Sequence, residues 1–378
     1  MRVLHLASFS GNIGDNASHQ GLYRILEQII NTSEIKELEI RNFYKNATGP
    51  SKRYFDKTFV DECNSYDLVI FGGGGYLDYW VPNSETGTTF DISFRFLEAI
   101  KTPFLLTSLG CVPGKEVPPG NKKKFIDFLD FIANRKNWYL MLRNDGSTEH
   151  LKNELGFRIP DNFDSILDNG FFYENYERNP ILSSKPYIAM NISDDQISMS
   201  GISAVSMKSE NYYDSIGKLI TSLIDLNNIN IFLIPHIYGD LIAINSILNR
   251  LSEEHLRHKV LIGPCLTRNN GADIIFSIYK NSLFSIGNRF HANVCSIAMD
   301  KNSIGLSALQ RIESMYDSID LSNSYVVIKD GFEEHVLRKS EKLITSNQEC
   351  IVENMTLENL KYKSIESYIK ALSYLNIL

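Results

Sequence analysis

The sequence has few cysteines and no long apolar run. Its five cysteines stand apart, at positions 63, 111, 265, 295 and 350, and form no Cys-x-x-Cys pair. Isolated cysteines argue against a disulfide framework or a zinc site and are typical of a reducing compartment, so we predict a cytoplasmic protein without a metal. No apolar stretch approaches the roughly 18 residues that span a bilayer. The start, MRVLHLASFSGNIGD, is interpreted as a strand and a glycine loop rather than a signal peptide.

The chain also lacks an excess of positive charge. It carries 38 basic and 45 acidic residues, a formal net charge of −7. This balance argues against an electrostatic grip on nucleic acid or on anionic lipid. We therefore expect no nucleic-acid partner and at most peripheral contact with a membrane.

What the chain does contain is an alternation of strands and helices. Apolar runs such as DLVIFGGGG, PFLLTSLG and WYLMLR alternate with helical segments such as KKFIDFLDFIANR. The pattern predicts parallel sheets with helices on both faces. It pauses at the polar stretch YERNPILSSKP, which we interpret as a linker, and then restarts. We predict an α/β protein of two Rossmann-like domains, residues 1–178 and 185–345, facing across a cleft. A C-terminal helix at 357–378 is expected to pack on the first domain.

Ligands of such sheets bind beside the carboxyl ends of the strands, and a glycine loop follows the first strand. In SGNIGDNAS, Gly11 and Gly14 permit a tight turn, and Asp15 can cap the next helix. The segment is not a Gly-x-Gly-x-x-Gly motif, so a dinucleotide site is not indicated. An ordinary strand-to-helix turn explains these residues equally well.

A second glycine-rich segment, FGGGGYLD, ends another apolar run. Gly72, Gly73 and Gly74 would let the backbone approach a ligand and offer amides to an anion. No Lys-Ser or Lys-Thr pair follows, so this is not a P-loop. Further along, Tyr76, Tyr79 and Trp80 could stack on a sugar, although packing within the loop explains them at least as well.

Three cationic or titratable side chains follow other predicted strands. Arg143 ends WYLMLR, and His236 ends INIFLIPH. A surface ion pair would equally explain the first, and a packed or capping residue the second. In SIGNRFHAN, Arg289 and His291 flank Phe290, and extended backbone would point both in one direction. Close to a helix N-terminus, they predict an electropositive site for phosphate or carboxylate.

Taken in order, these motifs resemble the polysaccharide pyruvyl transferase family. The resemblance is carried by GNIGD, DLVIFGGGG, SLGCVPG, LRNDGS with LKNELG, LDNGFF, LIPH with GD, and SIGNRFHA, which run from Gly11 to Ala292. Two departures stand out. The family's Arg-Leu-His is Arg-Phe-His here, and its late lysine has no clear counterpart, with Gln310 and Arg311 nearest.

The resemblance implies a GT-B-like fold and transfer of the enolpyruvyl group of phosphoenolpyruvate to two hydroxyls of a sugar, giving a cyclic pyruvate ketal. The acceptor would be a lipid-linked or polysaccharide repeat unit in capsule or exopolysaccharide synthesis, with phosphoenolpyruvate as co-substrate and no cofactor. Arginine suits both anionic groups of phosphoenolpyruvate. Four residues are expected to bind it: Arg143, Arg289, Phe290 and His236.

Proton transfer needs a group that titrates near neutrality, and His291 is the expected catalyst. Asp78 is a second catalytic candidate, as the group that activates a hydroxyl. One alternative is a GT-B glycosyltransferase with a nucleotide-sugar donor, for which Asp273 is the available acidic residue in GADIIFS. Another is an inactive family member that acts as a binding subunit.

Overall fold

The computed structural model describes residues 1–176, 185–199, 207–345 and 355–378. Contacts between Cα atoms divide the chain into two compact units. The first comprises Met1–Phe9, Leu22–Asn169 and Leu357–Leu378, and the second comprises Ser10–Gly21 and Gly170–Thr356. Most of the linker expected at 176–186, with the boundary at 178, lies outside the described residues.

In the described part of the chain, the first unit contains a parallel sheet of six strands. These are β1 (Arg2–Ala7), β2 (Glu34–Glu39), β3 (Leu68–Gly74), β4 (Phe104–Leu109), β5 (Trp138–Arg143) and β6 (Phe163–Ile166). Their order in space is β2-β1-β3-β4-β5-β6. Strands β3, β4 and β5 are buried along their whole length, which explains their uninterrupted apolar sequences. The chain order reverses between β1 and β3, where sheets of this kind bind ligands.

Five helices precede the second sheet in the described sequence. These are α1 (Ile13–Ile29), α2 (Lys57–Cys63), α3 (Phe94–Ala99), α4 (Asn121–Ala133) and α5 (Ser147–Asn153). The three- and four-residue spacing of Phe125, Phe128, Leu129 and Ile132 places one face of α4 in the core. Short 3₁₀ turns occur at Ile40–Phe43, Asn169–Phe172 and Ser322–Ser324.

The second unit contains another six-stranded parallel sheet, counted over its described residues. Its strands are β7 (Tyr187–Asn191), β8 (Asn230–Leu233), β9 (Val260–Ile262), β10 (Ser285–Gly287), β11 (Ser303–Ser307) and β12 (Tyr325–Val327). The order is β12-β11-β10-β7-β8-β9, so the direction of winding changes between β7 and β10. The predicted α/β class with two Rossmann-like sheets is confirmed.

The helices of the second unit follow its strands. They are α6 (Asp195–Met199), α7 (Ser209–Asn227), α8 (Tyr238–Leu248), α9 (Glu253–His258), α10 (Arg268–Lys280), α11 (Phe290–Ala298), α12 (Gln310–Ser318) and α13 (Phe332–Thr345). Residues from the start of the chain complete this unit, because Ile13 and Ala17 join an apolar cluster with Phe276 and Cys295. No helix within the described ranges has the length and apolar character that crossing a membrane requires.

The last helix, α14 (Met355–Tyr374), packs on the first unit. The buried Tyr368 hydroxyl hydrogen bonds to the Thr107 hydroxyl and donates to Asn169 Oδ1 at 2.6 Å. The Ser364 hydroxyl accepts from the backbone N–H of Leu167 at 3.0 Å. Part of the first unit's core is therefore supplied from the far end of the sequence.

Candidate active site

The winding change in the second sheet brings polar residues together beyond β7 and β10. Arg289 lies two residues past the end of β10, and its backbone N–H donates to Oδ1 of Asn191, the last residue of β7, at 3.0 Å. The Ser193 hydroxyl donates to Asn288 Oδ1 at 2.5 Å. These bonds join the two strand ends at the position where open α/β sheets bind ligands.

The Arg289 guanidinium is held by two carboxylates. Its Nε lies 3.0 and 2.8 Å from the oxygens of Asp240, and its Nη2 lies 3.2 Å from both oxygens of Asp195. Burial opposes the positive charge, but the carboxylates raise the pKa of Arg289 above its ordinary value. Among the described residues, no atom accepts a hydrogen bond from Nη1. One nitrogen of the guanidinium is thus without a hydrogen-bond acceptor in the described part of the chain.

The two carboxylates differ in how firmly they are held. Asp240 is fully buried and accepts from the backbone N–H groups of His236 and Ile237 at the start of α8, at 2.8 and 3.3 Å. The Asp195 side chain is 46% exposed. Together they outweigh the single positive charge of Arg289. Of the two carboxylates, Asp195 is the more exposed to solvent.

His291 is the second residue of α11, and Arg289 is the N-cap of that helix, with φ −85° and ψ 144°. The expectation that extended backbone points Arg289 and His291 in one direction is wrong, because α11 already begins at Phe290. The Phe290 ring packs edge-on against the imidazole, with centroids 5.5 Å apart. Both rings are almost entirely buried.

The GNIGD loop lies against His291 within the second unit. Asp15 Oδ1 is 3.6 Å from His291 Nδ1. Gly11 has φ of 91°, a conformation that favours glycine. A Cβ on Gly14 would lie 2.5 Å from the Cβ of His291, closer than real atoms approach. Gly11 is therefore needed for the turn and Gly14 for the close packing.

His236 is a fully buried histidine at the end of β8. Its Nε2 hydrogen bonds to the Tyr279 hydroxyl at 2.8 Å, and no described residue partners its Nδ1. Burial, then the charges of Arg289 and His291, lowers the pKa of His236 well below its ordinary value. The ring is thus a neutral, packed group in this geometry, and its assignment to phosphoenolpyruvate binding stays a prediction.

In the first unit, Arg143 ends β5 and is also buried among carboxylates. Its Nε donates to Asp145 Oδ2 at 2.6 Å, and its Nη1 lies 3.6 Å from Asp168 Oδ2. Burial opposes the charge, yet these carboxylates raise the pKa of Arg143 above its ordinary value. A Cβ on Gly110 would lie 2.6 Å from Asp145 Oδ2, so a glycine is needed there. This geometry favours an internal ion pair, and an anion-binding role for Arg143 stays a prediction.

The run of glycines lies inside β3 and not in a loop after it. A Cβ on Gly72 would lie 1.9 Å from the carbonyl oxygen of Thr107, and one on Gly74 would lie 2.8 Å from the Tyr76 ring. Gly73 has φ of 85°. The predicted loop at these three positions is therefore corrected to the end of a strand, in which Gly72 and Gly74 allow close packing. Anion binding by these glycines stays a prediction.

The aromatic residues after β3 also differ from expectation. Tyr76 and Tyr79 are buried in the core of the first unit, with the Tyr79 ring stacked on Phe125 at 4.9 Å. Neither ring is available to stack on a sugar. Trp80 and Asp78 are partly exposed. Packing thus accounts for both tyrosines, but against the core of the first unit and not within the loop as the second interpretation of the sequence had it.

Some polar contacts of the site have no local signal in the sequence. The Gln196 amide makes two hydrogen bonds when its nitrogen faces Asn288. In that orientation the nitrogen donates to the Asn288 carbonyl at 3.1 Å, and the side-chain oxygen accepts from Arg311 Nη2 at 3.2 Å. Arg311 is the partly buried second residue of α12, one of the two residues named above for the late lysine. Asp195 and Asp240, which neutralise Arg289, were not predicted either. In the described residues, no three His, Cys, Asp or Glu side chains are placed to hold a metal ion.

Comparison with known proteins identifies the family. The family model described as polysaccharide pyruvyl transferase matches residues 12–308. The chain belongs to this family. The match includes Asn12 to Asp15 of the GNIGD loop, β3, Arg143 and the segment from Arg289 to His291. No curated protein matches the sequence significantly.

Solved structures share the fold of this pyruvyl transferase family member at low sequence identity. UDP-GlcNAc 2-epimerase from Methanocaldococcus jannaschii is 12% identical with a TM-score of 0.59, over 99% of this chain and 100% of that one. The S. aureus MnaA-UDP co-structure is 12% identical with a TM-score of 0.55, over 100% and 97% of the two chains. A glycosyltransferase from Rickettsia africae is 12% identical with a TM-score of 0.51, over 100% and 95%. These likenesses show the GT-B-like fold alone.

Proposed function

We propose that this protein transfers the enolpyruvyl group of phosphoenolpyruvate onto two hydroxyls of a sugar and forms a cyclic pyruvate ketal. The acceptor is a lipid-linked or polysaccharide repeat unit, as in capsule or exopolysaccharide synthesis. Family membership supports a transferase. The observation that supports the proposal is Arg289 at the winding change of the second sheet, with no acceptor for its Nη1 among the described residues and with His291 two residues on.

The reaction adds two sugar oxygens to one carbon. The first hydroxyl attacks C2 of the enol while C3 gains a proton and becomes a methyl group, and the hydroxyl proton passes to a base. The second hydroxyl then attacks C2 and loses its proton, and the C2–O bond to phosphate breaks. The products are the ketal and inorganic phosphate, with no change of oxidation state and no further co-reactant.

Arg289 is assigned to an anionic group of phosphoenolpyruvate. Its Nη1 would donate charge-assisted hydrogen bonds to the carboxylate or phosphate, which suit the planar guanidinium. Because two carboxylates already outweigh its charge, Asp195 would swing away when the anion enters. Asp240 would stay and fix the guanidinium from its buried side.

His291 is assigned to proton transfer and Arg143 to a second anionic contact. Histidine is the side chain that most often serves as a general acid or base in enzymes. Arg143 belongs to the first unit and Arg289 to the second. Asp78, partly exposed after β3, is the candidate to activate an acceptor hydroxyl.

The test measures binding and turnover separately. Phosphoenolpyruvate binding is followed by calorimetry. Pyruvyl transfer is followed by mass spectrometry on a panel of lipid-linked and nucleotide-linked sugars. Arg289→Lys keeps a charge beside Asp240 but loses the planar fork, so we expect affinity to fall about tenfold, which corresponds to about 1.4 kcal/mol. Asp195→Asn removes a competing carboxylate and is expected to tighten binding several-fold.

His291→Ala is expected to lower turnover by about a hundred- to ten-thousandfold while affinity for phosphoenolpyruvate changes little. The matched control is His335→Ala, an exposed histidine of α13, which should change neither quantity. Turnover of His291→Ala at the parent rate would contradict histidine catalysis. If that variant loses affinity instead, His291 holds the ligand and does not catalyse.

The same titrations separate the alternatives. Binding of a nucleotide sugar without phosphoenolpyruvate would favour a glycosyltransferase, and binding without transfer to any acceptor would favour an inactive member of the family. A cytoplasmic location is part of the proposal. It is supported by the free thiols of the described cysteines, which are Cys63, Cys111, Cys265 and Cys295.

A further inference from the structure

The GNIGD loop presents a carboxylate to one nitrogen of His291. Asp15 Oδ1 lies 3.6 Å from His291 Nδ1, and both residues are more than nine-tenths buried. The distance is that of a close ion pair and somewhat longer than a hydrogen bond. The hydrogen-bonding surroundings of one ring nitrogen decide which nitrogen of a neutral histidine carries the proton.

The loop holds this carboxylate in place by its own hydrogen bonds. The Asn12 amide donates to Asp15 Oδ1 at 2.9 Å, while its oxygen accepts from the Gly14 N–H at 3.1 Å. The backbone N–H of Ile13 donates to the His236 carbonyl at 3.1 Å and fixes the loop to the end of β8. The carboxylate is thus oriented before any substrate arrives.

Gly14 sets how closely the loop approaches the imidazole. A Cβ at this position would lie 2.9 Å from both Cγ and Nδ1 of His291. The backbone at Gly14 therefore forms a wall on the Nδ1 side of the ring. The hydrogen bonds of Asn12 orient the carboxylate, and the absence of a side chain at Gly14 lets the loop come close to the ring. As a result, Nδ1 of His291 faces the loop and the Asp15 carboxylate.

Two charged or titratable neighbours of His291 in the described part of the chain, Arg289 and His236, are engaged by other partners. Arg289 is a donor held by its own carboxylates, and His236 is a neutral ring whose Nε2 is engaged by Tyr279. Asp15 is the carboxylate paired with the imidazole.

We propose that Asp15 is a positioning residue for His291, which keeps the proton of the neutral ring on Nδ1 so that proton exchange with the substrate occurs at Nε2. The proposal rests on the proposed function for the identity of that substrate. Asp15 forms no covalent bond with the substrate and exchanges no proton with it. The proton that leaves a sugar hydroxyl or enters C3 of the enol passes through Nε2.

The first test needs no substrate. The full chain is labelled with ¹⁵N-histidine, and long-range ¹H–¹⁵N spectra at pH 8 give the tautomer of each neutral ring, with His291 assigned from a His291→Gln sample. We expect the parent protein to show the Nδ1–H form of His291. Asp15→Asn and Asp15→Ala are expected to shift His291 toward the Nε2–H form. The matched control is Asp225→Asn, which breaks an exposed Asp–His pair with His255 and should leave the His291 signals unchanged.

The second test separates positioning from binding. Asp15→Asn is expected to lower kcat by about ten- to a hundredfold, with the KM for phosphoenolpyruvate changed less than about threefold. If Asp15→Asn does not fold, Asp15→Ser carries the same expectations, since a smaller residue leaves the loop uncrowded. Unchanged His291 tautomer populations in the Asp15 variants would overturn the inference even in an active pyruvyl transferase. A tautomer shift in a protein without pyruvyl transfer would uphold it while the proposed function fails.

Discussion

Replacing Gly72 by alanine should destabilise the first unit far more than replacing Gly75 by alanine. A Cβ on Gly72 would lie 1.9 Å from the oxygen, 2.9 Å from the carbon and 3.1 Å from the nitrogen of Thr107. All three are backbone atoms of the neighbouring strand, and Gly72 and Thr107 are paired in the sheet. At Gly75 the nearest atom is Asp78 Oδ2 at 3.3 Å, the far end of a flexible side chain.

The size of the effect follows from these distances. Nonbonded carbon and oxygen atoms approach to about 3.3 Å. Relief of the overlap at Gly72 therefore requires β3 and β4 to separate by more than about 1 Å. Adding a methylene group to a well-packed core typically costs about 1–3 kcal/mol. We expect a loss of about 3–5 kcal/mol, the range of the largest single-residue effects. With a urea m-value of about 1–3 kcal/mol/M, the midpoint falls by at least about 1 M. Gly75→Ala should stay within about 1 kcal/mol of the parent.

Tryptophan fluorescence during urea unfolding isolates this unit. The chain has two tryptophans, Trp80 and Trp138, and both belong to the first unit. Trp138 is fully buried and stacks on Phe104 at 4.1 Å, so its emission reports the core beside β4. A midpoint for Gly72→Ala equal to that of the parent would refute the packing argument. An equal loss of stability in Gly75→Ala would also refute it, because Gly72 and Gly75 would then be equivalent.

Two further predictions concern buried side chains outside this strand. Tyr368→Phe leaves the buried hydrogen-bond partners of the hydroxyl unsatisfied, so the free energy of unfolding of the first unit should fall by about 1–3 kcal/mol in the same fluorescence assay. The control, Tyr362→Phe, changes an exposed tyrosine on the same helix and should cost almost nothing. Equal losses in the two variants would contradict the prediction. Folding lowers the pKa of His236 below its ordinary value of 6.5. Below pH 6.5 the unfolded chain therefore binds a proton that the folded unit excludes. The free energy of unfolding then falls as the pH drops, by up to about 1.4 kcal/mol per pH unit. Near-ultraviolet circular dichroism melts between pH 7.5 and 5.5 should show a smaller pH dependence in His236→Gln and not in His335→Gln; an equal dependence in His236→Gln and the parent would contradict this.

Burial on both faces made the central strands predictable. Strands β3, β4 and β5 are fully buried, so their sequences are apolar runs that stand out from their surroundings. Strand β2 was missed, because it lies at the edge of the sheet and three of its six residues are exposed. Its sequence, EIKELE, carries the charges of a solvent-facing edge and no apolar run.

The candidate site residues were chosen because they follow strands. This rule singled out Arg289 and His291, which both lie close to the end of β10, and their roles stay predictions. The partners of Arg289 could not be found in this way, since Asp240 and Asp195 are 49 and 94 residues away in sequence. The glycines were misread for a related reason: a sequence shows that a side chain is missing, but only the neighbouring atoms show whether a ligand or another strand occupies the space.

Neither compact unit is a continuous stretch of chain, and this affects how the protein is made. Multidomain proteins generally fold unit by unit as the chain leaves the ribosome. Here Ile13 and Ala17 emerge long before Phe276 and Cys295, with which they form a core. The first unit, in turn, lacks Tyr368 until synthesis has passed that residue. A nascent chain therefore carries two unfinished cores while residues 170–356 are made, and a fragment that starts at residue 185 lacks the segment Ser10–Gly21 of the second unit.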